Sequence, residues 1–128
     1  MSVLKKILTA FCMAAILLGV VGCGGYDADV LKVREGHMNN RPDVPIGKAF
    51  DQFFDKGSWE SFTSTENEKI VEFNGDSKIF DETVKAKIQF RLTGETFNLN
   101  YVALDGESMP DAAAVIFVDG ILDSYKTK

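Results

Sequence analysis

The sequence predicts an α+β fold, in which an antiparallel meander of three or four strands packs against an amphipathic helix and a second helix lies at the carboxy terminus. Three observations carry this. From Thr83 to Thr93, apolar Val84, Ala86, Ile88, Phe90 and Leu92 alternate with Lys85, Lys87, Gln89 and Arg91, the period of a strand with one core face and one wet face. From Ile46 to Lys56, Ile46, Ala49, Phe50, Phe53 and Phe54 recur at helical spacing. The segments on either side of Thr83 to Thr93 can pair with it as hairpins and keep apolar residues opposite one another. The 128 residues are enough for one domain.

The first 22 residues read as a leader. Lys5 and Lys6 form a basic start, and Ile7 to Val21 is apolar apart from Thr9, too short for a confident membrane span. The residues Val20-Val21-Gly22-Cys23 resemble the lipobox of bacterial lipoproteins, with Val20 where Leu is commoner. The resemblance implies cleavage before Cys23, a diacylglycerol on its thiol and acylation of the new amino terminus. Because Gly24 follows, it also implies sorting to the outer membrane, facing the periplasm, in a Gram-negative cell. The residues alone also allow a plain secretory signal or an uncleaved anchor. Residues 23–29 then form a lipidated Cys and a short Gly-containing tether, and 30–128 form the domain.

After cleavage only Cys23 remains, and lipid occupies it. No disulfide is expected, and the core must supply the stability. Setting Lys5 and Lys6 aside leaves 12 basic against 19 acidic residues, a net charge of −7. That balance argues against a nucleic-acid binder.

Val30 to Arg34 suits a short first strand. Gly36 to Pro45, with Asn39, Asn40 and Pro42, reads as loop. The helix from Ile46 starts behind Pro45 and is expected to stop at Gly57. Trp59 to Ser64 suits a strand, but Trp59 and Phe62 have opposite parity, which predicts a bulge or an early end. Thr65 to Glu68 is a polar turn, and Lys69 to Lys78 a strand with Val71 and Phe73 on one side. Gly75 within it predicts a bulge or a close approach.

Gly94-Glu95 suits a two-residue turn with Gly first. That register pairs Leu92 with Phe97, Phe90 with Leu99, Ile88 with Tyr101 and Ala86 with Ala103. A turn at Asp81-Glu82 pairs Ile79 with Val84, Phe73 with Phe90 and Val71 with Leu92, and sets Glu72 opposite Arg91 and Asp76 opposite Lys87. Trp59, Phe73, Phe90, Leu99 and Tyr101 are the expected centre of the core. Ser108 and Asp111 have the spacing of a capping box. The helix expected from about Met109 to Tyr125 carries Ala114, Val118, Ile121, Leu122 and Tyr125 as its stripe. Val115-Ile116-Phe117-Val118 alone would also suit a strand.

Little in the chain reads as chemistry. The single His, His37, falls in a loop. There is no phosphate-binding glycine loop and no zinc or calcium ligand spacing. No catalytic set, metal or cofactor is expected. The wet face is the better candidate: Lys85, Lys87, Gln89 and Arg91 beside Asn98, Asn100, Glu72 and Asn74 make a mixed-charge surface that can dock a partner. The same register places Val102 and Leu104 there as an apolar spot.

The motifs Val33-x-x-Gly36, Pro45-Ile-Gly-x-Ala-Phe-Asp51, Trp59-x-Ser-Phe62, Val71-Glu-Phe-x-Gly75 and Ala86-Lys-Ile-Gln-Phe90 resemble a family of small, uncharacterised bacterial secreted proteins and lipoproteins. The pattern covers about 60 residues of the domain and brings no catalytic residue with it. In layout alone, the chain is similar to small outer-membrane assembly lipoproteins and β-lactamase-inhibitor-like domains. The expected function is that of a non-enzymatic envelope lipoprotein. It is held in the membrane through Cys23 and binds another envelope protein or a cell-wall component. The alternative is an inhibitor or exclusion factor acting on an incoming hydrolase, phage or conjugation apparatus. An enzyme or small-ligand carrier would need a pocket with convergent polar groups.

Overall fold

The computed structural model describes residues 26–126. It is an α+β fold. A five-stranded antiparallel meander in the order β1-β2-β3-β4-β5 carries three helices, α1 (Ala28–Arg34), α2 (Ile46–Phe53) and α3 (Asp111–Asp123). The strands are β1 (Asp55–Thr63), β2 (Lys69–Ile79), β3 (Glu82–Thr93), β4 (Thr96–Leu104) and the two-residue β5 (Glu107–Ser108). The leader and Cys23 lie outside the described residues.

The segment expected as a first strand is helix α1. Asp27 caps it by accepting the Val30 N–H at 2.9 Å, and Val30 and Val33, one turn apart, are both buried. Asp29 in the first turn and Lys32 and Arg34 in the last suit the helix dipole. Ala28 and Asp29, expected in the tether, therefore belong to the domain.

Helix α2 buries Ile46, Ala49 and Phe50, as its spacing predicts, but it ends at Phe53 and not at Lys56. Phe54 is extended and leads straight into β1, so Gly57 is a strand residue and not a helix stop. Lys56, at a φ of 53°, and Gly57 form an irregularity between Asp55 and Ser58. The bulge predicted from Trp59 and Phe62 thus lies upstream of Trp59. The two side chains simply occupy opposite faces.

The core centres on Phe50. Its ring lies 5.0 Å from Phe73, 5.6 Å from both Phe54 and Trp59, and 6.2 Å from Phe90, mostly in edge or tilted contacts of the favourable kind. Gly75 is a close approach, and it is also the β2 residue opposite the β1 bulge, facing Lys56 and Gly57. A Cβ there would stand 2.7 Å from the Phe73 ring and 3.0 Å from Phe54 Cβ, while the β2–β3 register runs unbroken through Gly75 and Ala86.

Both predicted hairpins form, with corrections. The β2–β3 turn is centred on Phe80 and Asp81, whose φ values of 51° and 66° are those of a type I′ turn. The register is therefore two residues from the expected one: Val71 faces Phe90, Phe73 faces Ile88, Glu72 faces Gln89 and Asp76 faces Lys85. A shift of two preserves parity, so every side chain stays on its expected face. In β3–β4, Leu92 faces Phe97 and Phe90 faces Leu99 as expected. Beyond them Asn100 is a surplus residue, and the pairing resumes as Gln89–Tyr101, Ile88–Val102 and Ala86–Leu104. Tyr101, expected in the core, is turned outward, and Val102, expected on the wet face, is fully buried. Leu104 likewise packs against the core.

Helix α3 buries Ala114, Val118, Ile121 and Leu122. Ser108 does not cap it: Ser108 pairs with Ala103 in β5, and Pro110 occupies the cap position without a side-chain bond. Arg41 in the loop before α2 bridges Asp119 at 3.1 Å and Asp123 at 2.9 Å, tying that loop to α3.

Candidate interaction face

The three helices cover one face of the sheet, where Val71, Phe73, Ile88, Phe90 and Val102 are buried. Side-chain alternation sends Lys85, Lys87, Gln89 and Arg91 to the other face in one column along β3. Asn98 joins them opposite Arg91. Asn100 has no partner on β3, and Tyr101 takes the place beside Gln89.

The centre of this face is Glu72. Only 7% of its surface is exposed. Its carboxylate accepts from Gln89 Nε2 and from Asn74 Nδ2, both at 2.8 Å, and Lys87 Nζ stands 3.9 Å away. A carboxylate this sheltered needs such donors to replace water. In holding it, Gln89 and Asn74 are themselves held. Glu60 on β1 is the cross-strand neighbour of Glu72, so a second carboxylate borders the network.

The basic column is balanced along its length. Lys85 pairs with Asp76 at 3.4 Å and Arg91 with Glu68 at 3.6 Å. The register differs from the expected one, yet β3 cations still meet carboxylates: Lys85 stands directly opposite Asp76, and Arg91 reaches diagonally to Glu68 in the turn before β2. The face therefore presents ordered polar groups and little net positive charge.

Two aromatic residues flank the network. Phe62 on β1 is 40% exposed and faces Ile70, and Tyr101 on β4 is 36% exposed. Neither was expected here. The opposite parity of Trp59 and Phe62 was a signal for Phe62, whereas the position of Tyr101 depends on the surplus Asn100, which no local feature of the sequence marks.

Elsewhere, His37 is exposed, with Nδ1 3.1 Å from the Met38 carbonyl oxygen. Among the described residues, no group of three or more His, Cys, Asp or Glu side chains is placed to hold a metal ion. Among the described residues, an open groove of about 600 Å3 lies where the β1–β2 and β3–β4 turns meet α1. Its charges pair with one another, Lys69 with Asp29 at 3.4 Å and Arg91 with Glu68. Comparison with family models, with curated proteins and with solved structures found no match to the chain.

Proposed function

We propose that this chain is a cell-envelope lipoprotein, anchored through lipid on Cys23, that acts as a non-enzymatic protein-interaction module and docks its partner on the bare face of the sheet. One observation carries the docking part: a built network of Glu72, Asn74 and Gln89 lies between two exposed aromatic residues on a face that no described helix covers. Ordered polar groups beside exposed aromatic rings suit a protein partner, since little side-chain freedom remains to be lost on binding. The partner is an envelope protein or a cell-wall component. The lipobox residues Val20-Val21-Gly22-Cys23 support the anchor.

The test is crosslinking in cells of the intact chain, with Cys23→Ser and the pair Gln89→Ala/Tyr101→Ala as controls. One dominant envelope partner, lost in both controls while the pair variant stays folded, is the expected result. The same partner recovered at full yield from the folded pair variant would remove the face from the function. Failure to recover any envelope partner would overturn the module itself.

A further inference from the structure

The tether reaches the domain at one particular place. Tyr26, the first described residue, lies under the guanidinium of Arg34, 4.6 Å from its ring centroid, and the same guanidinium stands 5.6 Å from the Trp59 ring on β1. Arg34 is fixed in turn by two hydrogen bonds to Asp51, at 3.1 and 2.9 Å. Ser61 on β1 donates to Asp27 at 2.6 Å, and Lys69, at the start of β2, pairs with Asp29. Residues 26, 27 and 29 are thus fastened to the β1 side of the sheet. Beyond the other end of α1, Gly36 lies against Phe97 of β4.

Cys23 precedes Tyr26 by three residues, which span at most roughly 11 Å when fully extended. β4 lies three strand spacings beyond β1, roughly 14 Å, with α3 packed over it. A lipid on Cys23 therefore favours an arrangement in which the β1 side is nearer the bilayer surface than the β4 side. β1 is also an open edge along its length, whereas β4 is partly covered by β5.

We propose that the β1 edge rests against the phospholipid headgroups, so that the sheet stands on edge with β4 and α3 turned away from the membrane. This rests on acylation of Cys23 and gives the anchored domain one orientation. It also places one of the open strand edges among the described residues against a lipid surface, which has no backbone to pair with it. The interaction face then stands upright, with its Tyr101 side pointing away from the bilayer.

The experiment uses the acylated mature chain in phosphatidylcholine vesicles, which add no net surface charge. Co-flotation with the vesicles, lost in Cys23→Ser, is scored first, and failure there overturns the anchor and this orientation together. With flotation established, amide hydrogen exchange is compared between the bound acylated chain and the free Cys23→Ser chain. Slowing confined to residues 55–63, with 96–101 and 111–119 unchanged, is expected, and equal or greater slowing in the latter two segments overturns the orientation alone. Energy transfer to a dansyl-headgroup lipid gives a second reading, because Trp59 is the single Trp of the chain. Transfer from Trp59 should exceed several-fold that from Trp59→Phe/Ile116→Trp, whose new ring sits at an exposed position on α3. Equal transfer from the two overturns the orientation. Should the double variant fail to fold, hydrogen exchange on the unaltered sequence decides.

Discussion

The two faces of the sheet are made by the same strands under different rules. On the inner face, aromatic rings gathered around Phe50 and the aliphatic residues beside them exclude water beneath the helices. On the outer face, one sheltered carboxylate orders its polar neighbours, and nothing described lies on top. The inner face is held by area removed from water, which depends only on which side a residue is on. The outer face depends on which residue stands beside which, and hence on register. An error of two residues leaves the first untouched and rearranges the second.

The largest expected effect tests the inner face. Phe90→Ala should cost roughly 3–5 kcal/mol in denaturant unfolding, the range for a fully buried Phe. A loss below about 1 kcal/mol would mean that the ring is not part of the core. Next comes the strand position where the two faces exchange residues. Val102→Ala should cost about 2 kcal/mol, against less than about 0.5 kcal/mol for Tyr101→Ser, because Val102 is buried and Tyr101 is not. The reverse order in urea melts would restore the unbroken alternation and return Tyr101 to the core.

Two smaller effects sharpen the comparison at its margins. Asp27→Ala removes the α1 cap and the bond from Ser61, and should lower stability by about 1 kcal/mol. No change in melting would mean that α1 is not held by its cap. Phe80→Asn should raise stability by up to about 1 kcal/mol. Phe80 is 96% exposed and sits at a positive φ that Asn tolerates better in a type I′ turn. A lower melting temperature for this variant would show that the ring does more at the hairpin tip than occupy a strained position.

How much was legible follows the same division. The alternation of Val84 to Leu92 and the stripe of Ile46 to Phe53 are strong periodic signals, and both name the core correctly. Helix α1 was not legible as a helix. It is seven residues long, and Val30 and Val33 are too few to establish a period, so its cap at Asp27 is the main local cue. The β2–β3 turn was misplaced because a turn on Phe80-Asp81 runs against ordinary turn preferences, while Asp81-Glu82 looks more polar. Of the candidate face, the β3 column and Asn98 were readable from parity alone. Asn100 left the pairing and Tyr101 entered it through an irregularity that has no composition of its own. Cys23, read from the lipobox, lies outside the described residues.

That irregularity has a consequence for how this chain tolerates change in length. Up to Leu99, the odd-numbered residues of β4 point inward, and from Val102 the even-numbered ones do. The strand therefore carries one residue that its hydrophobic pattern does not need. Removing Asn100 would join Leu99 to Tyr101 and bring both halves into a single phase, with Phe97, Leu99, Val102 and Leu104 all still facing inward. A one-residue deletion is ordinarily among the most damaging changes a strand can suffer. At this one position it amounts to the excision of an insertion, and the core face of β4 should survive the loss of one residue.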